Sequence, residues 1–436
     1  MREYRKRLLG MLSGWIAAVI LSGYCWGLFP VWQAVIFCAG IVPVSVIWYA
    51  GIRRGRAERE FYDMTGYMEQ FLCSYGQEKT VLKSLENCMV LYAENSRMGK
   101  VLKDAVYQLS SGLAGGEESV VSSAFRRIQA IYPCERLKLL HTFIENISRM
   151  GGEYGASLDI LQRDLQMWKQ RIILHQKQRQ TILREERLNI FLAVTLCWLS
   201  QMVIPYGMRE IIVSSVWYQI SAVITGVLLL AGAALFSWHI SGRWFAVSGK
   251  ATPKELYRQK KQYRNAVKHS AGIRYARARK MGRREIEKEF PYWVLTVTLY
   301  LQEDSVYQSI VHSLGEQNYF LRQEIKRLQE RIYEKPDDIQ SYLAFCNFAQ
   351  IAELRTIMRL LYAANTNGVP DTKRQILFLV EQSSVIMNQK EQAALSDSLR
   401  VSEFWKQFPM IIGGIQVVFD LFLFLLSSLR EIQDFV

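Results

Sequence analysis

The fold is decided at Arg184-Glu185-Glu186-Arg187-Leu188-Asn189-Ile190-Phe191-Leu192-Ala193-Val194, where a charged helical stretch becomes apolar without a break. From Ala156 to Ile204 there is no glycine and no proline. At 1.5 Å per residue such a helix is roughly 70 Å long, far more than the mean helix of a globular domain. The pattern comes twice. From Asp371 to Phe408 glycine and proline are again absent, and Pro409 opens another apolar run.

Working outward from there, five apolar stretches approach or exceed the ~20 residues that a helix needs to cross a bilayer. They are Leu8–Phe29, Val31–Ala50, Ile190–Met208, Val216–Ile240 and Phe408–Leu429. Half of the 436 residues are hydrophobic, so the average composition hides strong segregation. The first stretch is too long for a signal-peptide core and lacks a convincing cleavage site, so it reads as a retained anchor. The formal charge is +14. Arg2, Arg5, Lys6 and Arg7 precede the first stretch, and Arg53, Arg54, Arg56 and Arg59 follow the second. The positive-inside rule then places the N-terminus and residue 53 in the cytoplasm. The expected fold is all-α: a polytopic membrane protein with two repeated cytoplasmic helical-bundle domains and about five transmembrane helices. The expected division is an N-terminal hairpin (1–52), a first cytoplasmic domain (53–188), a second hairpin (189–241), a basic linker (242–289), a second cytoplasmic domain (290–405) and a C-terminal span (406–436).

Within the first polar region, glycines and prolines mark helices at about 57–75, 78–93, 97–113 and 135–150, with one more ending near Pro133. Gly151-Gly152 and Asn367-Gly368-Val369-Pro370 read as helix breaks, so Gly151, Gly152 and Gly368 are motif residues. Ser305 suits a helix cap. The two regions look like copies. Gln77–Leu85 resembles Gln302–Ile310 at an offset of 225, and Leu137, Leu140, Ile144 and Gly151 match Leu354, Ile357, Leu361 and Gly368 at an offset of 217.

A search for chemistry returns little. Ser248-Gly249-Lys250-Ala251-Thr252 fails as a phosphate loop, because Trp244 stands where the first glycine belongs and Ala251 where a hydroxyl residue belongs. No His-Glu-x-x-His, nucleophile elbow or kinase signature occurs. The seven cysteines form no Cys-x-x-Cys and read as reduced and buried. The expectation is a protein that is not an enzyme, with no cofactor and no metal. Asp420 stands out, in the middle of the last apolar run with Gln416 one turn earlier. A carboxylate there is expensive in lipid. It therefore contacts either a membrane partner or another helix of this chain. Gln201 is a weaker case of the same kind. Residues 243–289 hold 15 Lys/Arg against 4 Asp/Glu, densest at Arg274, Arg277, Arg279, Lys280, Arg283 and Arg284. That segment suits an anionic lipid surface or an acidic protein partner. Nucleic acid is the weakest reading and is not expected.

Leu137–Gly152, Gly155–Leu161, the Arg/Gln/Lys-rich helix to Leu188 and the apolar run after it resemble the type II secretion F family. Within it they resemble the inner-membrane platform proteins of tight-adherence (Tad) pili. In the second copy the resemblance lies in Phe290-Pro291-Tyr292-Trp293, Gln302–Ile310 and Met358–Gly368. It implies a non-catalytic platform in the bacterial inner membrane. Implied partners are a cytoplasmic secretion ATPase, prepilins, other platform subunits in a homo- or hetero-oligomer, and the anionic lipid membrane. Platform proteins of Tad pili usually carry one such domain, whereas two alternate with apolar segments here. A membrane signalling scaffold or receptor is the alternative, and a secondary transporter a further one.

Overall fold

The computed structural model describes residues 26–112, 120–150, 154–242, 253–268, 272–301, 304–314, 318–367, 374–378 and 399–434, together with positions 15, 16, 20, 23, 381 and 392. Among the described residues the secondary structure is helical and no strand occurs. The helices are α1 (Pro30–Glu78), α2 (Val81–Met89), α3 (Arg97–Ser111), α4 (Val120–Ile131), α5 (Glu135–Met150), α6 (Gly155–Val203), α7 (Tyr206–Ser214) and α8 (Val216–Ile240). They continue as α9 (Pro253–Lys268), α10 (Ile273–Tyr300), α11 (Val306–His312), α12 (Tyr319–Glu334), α13 (Ile339–Leu343), α14 (Ala352–Asn367) and α15 (Phe408–Asp434).

Local chemistry sets many of these bounds. Pro30 opens α1, where a missing N–H costs nothing. The side chains of Ser96, Ser215, Ser305 and Asn318 accept hydrogen bonds from the backbone N–H groups of Gly99, Tyr218, Gln308 and Leu321, and so cap α3, α8, α11 and α12. Gly112 ends α3 in the left-handed conformation (φ 66°) that favours glycine. Two sequence expectations need correction. The helix expected at 57–75 is the end of α1, which runs 49 residues from Pro30 through Gly51, Gly55 and Gly66 to Glu78. A helical glycine costs only about 1 kcal/mol, too little to stop a helix with buried residues on both sides. The apolar stretch Ile190–Met208 is interrupted, because α6 ends at Val203 and Pro205 caps α7. Proline has no N–H to continue the ladder.

Among the described residues, three helices are long and apolar enough to cross a bilayer: Pro30–Glu78, Val216–Ile240 and Leu399–Arg430. The expected span Leu8–Phe29 and the glycine-free stretch 371–408 fall largely outside the described residues.

The chain divides into two compact units. Unit 1 comprises Met1–Arg59, Ile172–Trp244 and Ala394–Val436, and unit 2 comprises Glu60–Arg171 and Phe245–Ala393. Residues 60–171 and 245–393, which the second apolar hairpin separates in the sequence, thus share one unit, and nearly all of the basic linker expected at 242–289 belongs to it. The apolar unit 1 is built round Trp26, Ile36, Ala193, Cys197, Tyr218, Leu229 and Ile412. In unit 2 the last part of α1 buries Phe61, Met64, Tyr67, Met68, Phe71 and Tyr75, a helical stripe. Phe71 meets Phe125 edge-on at 5.8 Å, and Trp293 stacks on Phe345 at 5.3 Å. Asp164 ties the two stretches of unit 2 together. It accepts from Arg136 of α5 and from the Tyr292 hydroxyl of α10, and the Arg136 guanidinium lies 5.2 Å over the Tyr292 ring.

Candidate functional site: a buried polar network among apolar helices

In unit 1, α15 lies against α6 and α8. Gly413 makes the approach to α6 possible, because a Cβ there would stand 2.9 Å from the Ala193 Cβ and 3.1 Å from its Cα. Small residues let helices in lipid approach to backbone contact. Cys197 is buried at this contact, its thiol 3.7 Å from the Gly413 carbonyl oxygen.

One turn further along α15, Gln416 makes a full set of side-chain bonds. Its amide Nε2 donates to Asp420 Oδ1 at 2.8 Å and to Ser221 Oγ at 3.1 Å. Its Oε1 accepts from the Thr225 hydroxyl at 2.8 Å. Asp420 Oδ2 accepts from Ser200 Oγ at 3.0 Å, and the same hydroxyl lies 2.8 Å from the Cys197 carbonyl oxygen. Asp420 and Gln416 are 1% and 4% exposed, so they face protein. Their partners come from α6 (Ser200) and α8 (Ser221, Thr225). A second layer lies nearby. Gln201 donates to Tyr218 Oη, which itself donates to the Trp26 carbonyl at 3.0 Å. Gln219 spans the backbone at Gly27, Phe29 and Val213. In an apolar medium an unmade hydrogen bond costs more than a made one gains. The network therefore fixes the register of the helices it joins.

Asp420 and Gln416, singled out from sequence, thus share one cluster. Ser200, Ser221, Thr225 and Tyr218 were missed. Their signal was present as polar residues within apolar runs, Ser221 and Thr225 four apart on one helix face.

The basic segment lies on α10. Arg277, Lys280 and Arg284 are exposed and follow helical spacing. Arg279 donates to Gln350 and Arg283 pairs with Glu287 at 2.9 Å, so both are engaged inside unit 2. The Arg274 side chain, and the break residues Gly151, Gly152 and Gly368, lie outside the described residues; α5 and α14 end at Met150 and Asn367, one position earlier. Cys88, Cys134, Cys197 and Cys346 are buried, while Cys38 and Cys73 are exposed, against the expectation of burial. Both sit on outward faces of α1.

Unit 2 also holds a polar cleft of ≈ 270 Å³ between α4 and α5 on one side and α10 and α11 on the other, lined by Arg126, Glu145, Arg149, Tyr300 and His312 among others. His141 forms part of its floor, stacked on Phe125 at 4.1 Å. Gln129 Nε2 lies 3.1 Å from Nδ1 and Tyr67 Oη 2.9 Å from Nε2. With the amide donating to Nδ1, the ring proton sits on Nε2. Burial pushes the imidazole pKa down to about 3, so His141 is neutral.

Compared with known proteins, the chain matches no family model, no curated protein and no solved structure.

Proposed function

We propose that this chain is an inner-membrane platform protein of a type II secretion or Tad-type pilus machine, coupling a cytoplasmic secretion ATPase to prepilin extraction and filament assembly. The observation that carries the reading is the pair of 49-residue helices, α1 and α6. Each contributes one part to the unit holding the apolar helices and the other to the helical unit 2. A machine whose motor works in the cytoplasm and whose cargo leaves the bilayer needs elements that belong to both compartments.

Helix bounds support the internal repeat. α5 and α14 have the same start and end when shifted by 217, and α2 and α11 start at the same place when shifted by 225. The basic flanks support five spans, with the N-terminus in the cytoplasm and the C-terminus outside. In that arrangement α6 and α7 together complete the third crossing. The exposed face Arg277, Lys280, Arg284 is the docking face for acidic groups of the ATPase or for anionic lipid. The platform hydrolyses no ATP itself.

Deleting the chain from its own cell tests the reading. Prepilins accumulate in the inner membrane and no filament forms, and the purified chain shows no ATPase activity. Normal filaments in the deletion strain refute it, as does ATP hydrolysis by the purified chain that is lost in Lys250→Ala.

A further inference from the structure

At one end of unit 1, α1 and α6 bring basic groups together beside the end of α8. α1 supplies Arg54, four residues beyond its apolar run. α6 supplies His175 and Arg179, one turn apart on one face. α8 ends beside them at Ile240, and both Arg179 Nη atoms lie 3.5 Å from the Gly242 carbonyl oxygen.

The depth of this place is marked by aromatic rings. Tyr49 stacks on Trp238 at 5.9 Å, and the Arg53 guanidinium lies 5.4 Å over the same indole. Both rings are about half exposed, at 51% and 46%. Tyr and Trp gather where hydrocarbon meets headgroups. Ile182 and Leu183, one turn beyond Arg179, pack in one cluster with Phe236 and Ile240. Arg179 therefore stands level with the end of α8.

The charges there are not balanced. Burial, then the proximity of Arg187, pull the Arg54 guanidinium below its ordinary pKa, with Glu58 opposing. Burial, then Arg54, pull Arg179 down to about 10. Glu186 is itself pushed up to about 7 by burial, so it supplies only part of a negative charge. Donors are also left over. His175 is 7% exposed with neither ring nitrogen hydrogen-bonded, and Gln176 is 6% exposed with its amide nitrogen unbonded. Buried donors without acceptors are costly, and like charges held together are costly too. A single phosphate relieves both.

We propose that Arg54 and Arg179, with His175 beside them, hold the phosphate ester of an anionic phospholipid at the edge of the apolar unit. Basic pockets between membrane helices on the cytoplasmic side are suited to such headgroups. A lipid is favoured over free phosphate by the depth and by the exposed apolar side chains next to the rings, Leu235 among them. This inference rests on the bilayer placement of unit 1 and is independent of the pilus reading.

The test is native mass spectrometry of the full chain in detergent, titrated with phosphatidylglycerol or with phosphatidylcholine. The wild-type chain binds phosphatidylglycerol in preference. Arg54→Gln weakens that binding about fivefold, the worth of one basic group near an anionic surface, and leaves phosphatidylcholine binding unchanged. Arg54 carries the test because Arg179 also reaches the Gly242 carbonyl just beyond α8 and its loss disturbs packing. Arg184→Gln makes the same charge change at an exposed position of α6 and leaves binding intact. Three results overturn the proposal: no preference for phosphatidylglycerol, an equal loss in Arg184→Gln, or full displacement of the lipid by inorganic phosphate, which assigns the site to the free ion.

Discussion

Gln416→Leu is the sharpest probe of the buried network. Two of its three side-chain bonds cross between helices, to Thr225 and Ser221, and the third goes to Asp420. Interhelical hydrogen bonds in bilayers average about 0.6 kcal/mol each. The two crossings then contribute about 1.2 kcal/mol, and withdrawing a donor from the Asp420 carboxyl adds roughly 1 kcal/mol. The sum, near 2 kcal/mol, corresponds to about a thirtyfold rise in the open fraction. Leucine is apolar in the assembled and separated states alike, so it brings little compensation in lipid. The readout is the Cys197 thiol, 2% exposed where α6 meets α15. In a chain whose other cysteines are replaced by alanine, thiol labelling reports opening of that contact. Gln416→Leu is expected to label about thirtyfold faster at normal abundance in the membrane. Asp420→Asn is expected to label almost as wild type. The asparagine oxygen accepts from Gln416, its amide donates to Ser200 Oγ, and the serine proton turns to the Cys197 carbonyl 2.8 Å away. An unchanged labelling rate in Gln416→Leu refutes the idea that the network holds α15 in place.

Two further predictions concern unit 2. Arg136 and Asp164 have side chains 10% and 7% exposed, and removing one partner of a buried pair costs about 3 kcal/mol or more. Asp164→Leu therefore lowers the chemical-denaturation midpoint, and the double variant Arg136→Met, Asp164→Leu recovers most of it; a double variant as unstable as the single one refutes the pairing. His141 has its pKa depressed from 6.5 to about 3. The unfolded chain takes up a proton there that the folded chain refuses, so this contribution is complete above pH 6.5 and is lost as pH falls toward 3. At pH 5 the loss is about 2 kcal/mol. His141→Gln is expected to flatten the acid limb of the stability profile, and an unaltered limb in that variant refutes it.

Local features were legible in the sequence where their cause is local. α8 was read at its observed bounds because an apolar run between Ser215 and Ser241 needs no distant information. α5 and the start of α6 were read correctly because their glycine and proline borders are adjacent. The helix marked at 57–75 missed the start of α1 because Gly51 and Gly55 do not stop it, with Ala50 and Ala57 buried on either side of them. Pro205 was passed over within an apolar run, where hydropathy outweighed the missing N–H. Gln416 was read beside Asp420, but the pairing of Asp420 with Ser200 was not legible. Ser200 lies 220 residues away, and helical spacing names a face without naming what meets it. The shared unit formed by residues 60–171 and 245–393 was hidden for the same reason.

That separation has a consequence for biogenesis. Ser200, Ser221 and Thr225 are synthesised early, while Asp420 and Gln416 do not yet exist. At about 5–20 residues per second, roughly ten to forty seconds of translation intervene. During that interval Ser200 and Ser221 keep the Cys197 and Tyr218 carbonyls of their own helices as acceptors, while Thr225 waits for the Gln416 oxygen. The bonds that join the helices through Gln416 and Asp420 form only when the last helix arrives. A ribosome stalled before Phe408 then leaves α6 and α8 without the Gln416 and Asp420 groups that tie them to α15.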